Sequence, residues 1–168
     1  MSDFKKRYIE FCGPFIEAIK EIYETMMSSE ITAGSPSVKK SSDSLGDYSS
    51  LMGISGVFKG TDVEKKFKGN LIISWKDVYL KTASAMLMEE YTEVTDEISD
   101  VGMEIANITM GNAKKFLVEK GYHIEMSIPT SVSGKNHKLK VLEGVTTIMT
   151  PLKCSLGEFY IELNYEDY

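Results

Sequence analysis

Twice in 168 residues the sequence passes from a helical hydrophobic period into a series of strand-like stretches, and this repeated order is the strongest constraint on its fold. A helix followed by three strands is expected over residues 14–75 and again over residues 96–164, with a helical connector over 76–89. Helices that precede runs of strands, instead of alternating with them, predict an α+β layer with a mainly antiparallel, six-stranded sheet. A parallel nucleotide-binding fold is disfavoured for a second reason: no glycine-rich loop joins a strand to a helix as a phosphate cradle requires. With 42% hydrophobic residues, a single domain over residues 1–168 is long enough to bury a substantial core.

In the first half, Tyr8, Ile9, Phe11, Phe15, Ile16, Ile19, Ile22, Tyr23 and Met26 form a wide apolar arc at helical spacing over residues 4–27. Proline suits a helix's first turn and damages its interior, so the main helix is expected to begin near Pro14, with residues 3–12 as a shorter preceding piece or kinked extension. Strands are expected over 30–40, 51–59 and 68–75, the last two joined through Gly60 and the charged residues 61–66. In the second half one long helix is expected over 96–121, with Gly121 as its C-terminal cap signal. Strands follow over 123–128, stopping at Pro129, then over 145–154 and 158–164, while residues 130–139 read as polar and turn-prone.

Charge and motif content narrow the function. Acidic residues number 25 against 19 basic, for a formal charge of -6 and a pI near 5.0, so no nucleic-acid partner is expected. Cys12 and Cys154 read as reduced thiols, and His123 and His137 are too isolated for zinc, so no metal site is expected. The first residues, Met1-Ser2-Asp3-Phe4-Lys5-Lys6, lack a signal's apolar region, and no window approaches the roughly 20 apolar residues of a membrane span. A soluble, cytoplasmic protein is the expectation. There is no nucleophile elbow, His-Glu-x-x-His, Walker loop or CxxC pair, and the ten methionines read as core filler before they read as an adaptable binding surface.

What stands out chemically lies on the long helix. At about 100° per residue, Asp100, Glu104 and Asn107 fall within roughly 60° of one another, and Glu97, Gly111 and Lys114 extend the same stripe. Ile98, Val101, Ile105, Ala106, Ala113, Phe116 and Leu117 form the opposite, core-facing side. The stripe offers carboxylates, then a carboxamide one turn on, then bare helix at Gly111, where a partner's backbone could approach closely. A glycine inside a helix costs on the order of 1 kcal/mol relative to alanine, so Gly102 and Gly111 point to close packing or docking. A plain solvated face is the alternative reading of the same pattern.

Asp100-x-x-x-Glu104-x-x-Asn107, followed by Gly111-Asn112-Ala113-Lys114 and by Pro129 after a β segment, resembles the signature of the CheC/CheX/FliY family of chemotaxis response-regulator phosphatases. Gly111-Asn112-Ala113-Lys114 and the helix segment Pro14-Phe15-Ile16-Glu17 look most like CheX, and the resemblance covers nearly the whole chain. It implies a CheC/CheX-like fold of two pseudo-repeated αβββ halves with a long active-site helix. It also implies a hydrolase acting on the phosphoaspartate of a CheY-like receiver domain. In that reading Asn107 positions the attacking water and Glu104 pairs with the receiver's active-site lysine, while Asp100, Gly111 and Lys114 serve partner binding. No cofactor of its own is implied, since Mg²⁺ belongs to the receiver, and a homodimer is implied. In the first helix Gly13-x-x-x-Glu17-x-x-Lys20 occupies the equivalent place with lysine in the amide position, which predicts one active centre per chain. A non-catalytic module docking on a receiver or flagellar-switch component through the same helix is the alternative. A small-ligand domain lacks a convergent polar cluster.

Overall fold

The computed structural model describes residues 3–39, 41, 43–60, 64–135, 137–139 and 146–167. Its first helix, α1 (Asp3–Met27), buries Phe11, Phe15, Ile19, Ile22 and Tyr23 along one face, as a 3.6-residue period requires. Pro14 lies inside this helix and does not begin it, so residues 3–12 are an extension of the main helix and not a separate preceding piece. An internal proline removes a hydrogen bond and crowds the carbonyl four residues back, at about 3 kcal/mol. Two features offset that cost. Gly13 lacks the Cβ that the proline ring would crowd, and Phe11, three residues before the proline, is fully buried with its ring centroid 4.9 Å from that of Tyr165 and 5.7 Å from that of Tyr122. The core therefore holds the segment that the proline would otherwise release. Phe11→Ala is expected to lower the unfolding free energy by about 3–5 kcal/mol, measured by denaturant titration.

The strands are β1 (Thr32–Ala33), β2 (Ser37–Lys39), β3 (Tyr48–Phe58), β4 (Lys65–Trp75), β5 (Tyr122–Met126), β6 (Thr130–Ser133), β7 (Thr147–Cys154) and β8 (Gly157–Asp167). Helices α2 (Val78–Leu87), α3 (Asp96–Ser99) and α4 (Val101–Glu119) lie between β4 and β5. The sheet runs β1-β7-β8-β4-β3-β5, with β2 continuing the β1 row along β7 and β6 continuing the β5 row along β3, and each pairing is antiparallel. It is thus six rows wide, as expected, but its outer rows are each broken in two. The strand expected over 30–40 breaks where Pro36, which has no N–H to donate to a ladder, approaches β7. Residues 130–139 were expected as a turn-prone stretch, yet Thr130–Ser133 pairs with β3 from Leu51 to Tyr48. The free edge of β3 beyond Gly53 leaves backbone groups that need partners, and this overrides the polar character of the segment. Of the expected strands and connections, residues 40, 61–63, 136 and 145 lie outside the described residues.

The row order makes the internal repeat visible. Each half puts its third strand, β4 or β8, at the centre and its second, β3 or β7, next to it. The first row of each half then lies on the other half's second strand, β1/β2 on β7 and β5/β6 on β3. Helices α1 and α4 pack against each other, and their apolar faces share one core with Met52, Leu71, Ile73, Phe159, Ile161 and Leu163 of the sheet. Phe116, expected on the core side of α4, is 48% exposed and lies in a surface recess with Pro14, Glu17 and Lys120. No helix of the described residues is long and apolar enough to cross a membrane.

Candidate functional site

The long helix expected over 96–121 is divided: α3 ends at Ser99, α4 begins at Val101, and Asp100 stands between them. The cause is a side chain from α2. In a continuous helix the Gly102 N–H would bond the Ile98 carbonyl four residues back. Here the Tyr79 hydroxyl stands between the two groups, accepting from the Gly102 N–H at 3.1 Å and donating to the Ile98 carbonyl at 2.6 Å. Insertion of a side chain into the ladder kinks a helix. Gly102 makes room for it, since a Cβ there would lie 2.6 Å from Ser50 Oγ and 3.3 Å from Tyr79 Cε2. The Tyr79 ring is held by stacking on Tyr48 at 4.7 Å and by contact with Trp75 at 5.4 Å. Burial pushes the Tyr79 phenol above its ordinary value, opposed by the Gly102 N–H and reinforced by Asp100 and Tyr48, so the hydroxyl keeps the proton it donates. Sequence reasoning missed Tyr79; the signal that could have led to it is Gly102, a residue with no place in a regular helix interior.

Beyond the break, α4 presents Glu104 and Asn107 to solvent, and Asp100 is exposed at its N-cap position without a side-chain capping bond. The Asp100 carbonyl accepts the Glu104 N–H at 3.0 Å, which starts the new helix. Among the described residues, no hydrogen bond or ion pair engages the side chains of Asp100, Glu104 or Asn107. Lys114 and Gly111 are half-buried on the same stripe. Glu97, on the far side of the break, lies 3.0 Å from the Tyr91 hydroxyl and belongs with the connection between α2 and α3.

The two glycines of α4 have different reasons. Gly102 is forced by packing, whereas a Cβ at Gly111 would meet nothing within 4 Å. Gly111→Ala is therefore expected to stabilise the protein by about 0.5–1 kcal/mol, read from thermal or denaturant unfolding.

A free carboxylate and a free carboxamide three residues apart can hold, orient and hydrogen-bond; neither is a strong base or a nucleophile at neutral pH. Burial pushes the Cys12 thiol up to about 12, which removes it as a thiolate nucleophile. His123 is exposed on β5, and His137 is held between Ser49 Oγ and the Gly134 carbonyl, each at 2.8 Å. Among the described residues no group of three or more His, Cys, Asp or Glu is arranged to hold a metal ion. In α1, Glu17 is 3.6 Å from Lys20, so the acid at the repeat-related position already has an ionic partner. Neither Glu104 nor Asn107 lines the apolar groove between α1 and the β2 edge, the recess beside Phe116, or the smaller hollows over the sheet. The pair projects from the protein's surface, where it can enter a concavity of another molecule.

The sequence matches the family described as chemotaxis phosphatase CheX over residues 48–153. Among solved structures, the chain is similar to a CheC-like superfamily protein from Shewanella sp. PV-4, at 31% identity and a TM-score of 0.81, covering 94% of this chain and 98% of that one. It is similar to the chemotaxis protein CheX from Vibrio vulnificus at 30% identity and a TM-score of 0.80, covering 94% and 99%. It is also similar to a chain of the CheX–CheY–BeF3–Mg²⁺ complex from Borrelia burgdorferi at 25% identity and a TM-score of 0.71, covering 94% and 97%. No curated protein matches it.

Proposed function

The chain belongs to the chemotaxis phosphatase CheX family, and on that premise we propose that it is an enzyme that accelerates hydrolysis of the phosphoaspartate on a CheY-like receiver domain. Asn107 positions the attacking water and Glu104 pairs with a lysine of the receiver's active site. The observation that carries this reading is the pair itself: two polar side chains on one exposed face of α4, with no partner among the described residues. The likeness to a protein crystallised with CheY, BeF3 and Mg²⁺ supports a receiver as the occupant of that face.

The chemistry asks little of the phosphatase. The acyl phosphate lies in the receiver's pocket beside the receiver's own Mg²⁺, and this chain supplies position. Over three residues a helix rises about 4.5 Å, so the Glu104 and Asn107 side chains can enter one pocket together. The Asn107 carboxamide can accept from the water through its oxygen and donate through its nitrogen, holding the water in line without abstracting a proton outright. A carboxylate paired with an ammonium gains strength and specificity as the interface excludes water, which is the part given to Glu104. Asp100 at the start of α4, bare Gly111 and Lys114 form the surrounding contact surface, and Gly111→Ala is expected to weaken docking even as it stabilises the fold.

We further propose a homodimer acting in the cytoplasm. Among the described residues the outer β1/β2 row pairs only with β7, and the groove beside it is lined by Ile9, Cys12, Ile16, Val38 and Ile148, a surface suited to a second copy. Light scattering at micromolar concentration tests this, and a monomer would exclude it.

Turnover is the decisive measurement. A receiver carrying radiolabelled phosphate is mixed with this protein at a small fraction of its concentration. Loss of label from the whole receiver pool supports catalysis. Label retained beyond a stoichiometric amount, with binding intact, would make the chain a docking module.

A further inference from the structure

We propose that Tyr79 is a positioning residue for Asn107, acting through the break between α3 and α4; this rests on the reading of Asn107 given above. The apolar packing of Ile105 and Ala106 holds α4 to the sheet, but such contacts are non-directional. The directional anchor at the front of α4 is the Tyr79 hydroxyl, which accepts a hydrogen bond from the Gly102 N–H and donates one to the Ile98 carbonyl. Gly102 precedes Glu104 by two residues and Asn107 by five, within about a turn and a half of helix, so the direction in which α4 leaves the break is the direction in which both side chains point. Tyr79 is in turn gripped by Tyr48 of β3 and Trp75 of β4, so the sheet sets the position of the hydroxyl. Without the hydroxyl, the Gly102 N–H and the Ile98 carbonyl are left to close on each other as a regular helix, which removes the break and re-aims α4.

Tyr79→Phe keeps the ring and deletes only the hydroxyl. The short Asn107 arm tolerates less displacement than the longer Glu104 side chain, so kcat for receiver dephosphorylation is expected to fall about tenfold while KM stays within about twofold. In an Asn107→Ala background the same substitution is expected to cause no further loss of kcat, although it lowers the melting temperature equally in both backgrounds. An unchanged kcat in Tyr79→Phe, or an equal further loss in the Asn107→Ala background, would overturn the proposal while leaving the role of Asn107 intact. If Asn107→Ala alone leaves hydrolysis unaltered, the underlying reading fails and this one with it. Should Tyr79→Phe not fold, amide exchange on the unaltered protein decides: the Gly102 amide, in a helix's first turn where amides ordinarily lack an intrahelical acceptor, is expected to exchange as slowly as those of mid-helix residues, and fast exchange overturns the assignment.

Discussion

Asn107→Ala is expected to slow receiver dephosphorylation by on the order of 10² at saturating receiver while leaving receiver affinity intact. The side chain is exposed and engages no group among the described residues, so its removal takes away no contact within the fold. Alanine is also the better helix former, and the variant is expected to melt within about 0.5 kcal/mol of the parent's stability. The loss would therefore report on the chemical step and not on unfolding. Asn107→Asp sharpens the test, since it keeps the shape but replaces the donor nitrogen with a charge facing phosphoryl oxygens; it is expected to be as inactive as alanine. Phosphate release under saturating receiver, with affinity for a beryllofluoride-activated receiver measured separately, separates the two effects. An unchanged rate would remove Asn107 from the mechanism.

Glu104→Ala should act on the other parameter. Truncating one member of a hydrogen-bonded charge pair at an interface costs about 2–5 kcal/mol, so Kd for the activated receiver is expected to rise by roughly 30-fold or more. The rate at saturation should change less, because an interaction made equally in the bound and transition states alters KM before kcat. Glu104→Lys places like charge against the receiver's lysine and is expected to abolish measurable binding. Ionic strength offers an independent check. The parent's affinity should weaken with added salt, and the Glu104→Ala variant should show a shallower dependence. Equal affinity of parent and Glu104→Ala, at any salt, would rule out the pairing.

Much of this architecture could be read from the residues. Strand-like runs bounded by glycine, proline and turn-prone residues located most of the sheet's rows, and the family resemblance of the Asp100 to Lys114 stretch agrees with the match over residues 48–153. The prediction that Glu104 and Asn107 share an exposed face needed only the helical period. Where the reading departed from the structure, a distant contact had outweighed a local rule. Pro14 lies within α1 because Phe11, on its N-terminal side, is packed against Tyr122 and Tyr165. Thr130–Ser133 is a strand because β3 had an unpaired edge to offer it. Phe116 shares the period of the core face yet faces a surface recess, since periodicity gives direction and not the extent of what lies opposite.

By itself the sequence determined which side chains lie at one helical face, where most of the strands run and which two polar groups α4 can present, because the 3.6- and 2-residue periods belong to the backbone's own geometry. Only the tertiary structure decided where the long helix expected over 96–121 breaks and so how that pair is aimed. Tyr79 and Gly102 stand 23 residues apart, and no local pattern announces that a hydroxyl from one helix will enter the hydrogen-bond ladder of another. The exchange of outer strand rows between the two halves has the same origin: pairing satisfies backbone groups wherever an edge is free, and which edge is free depends on the whole sheet.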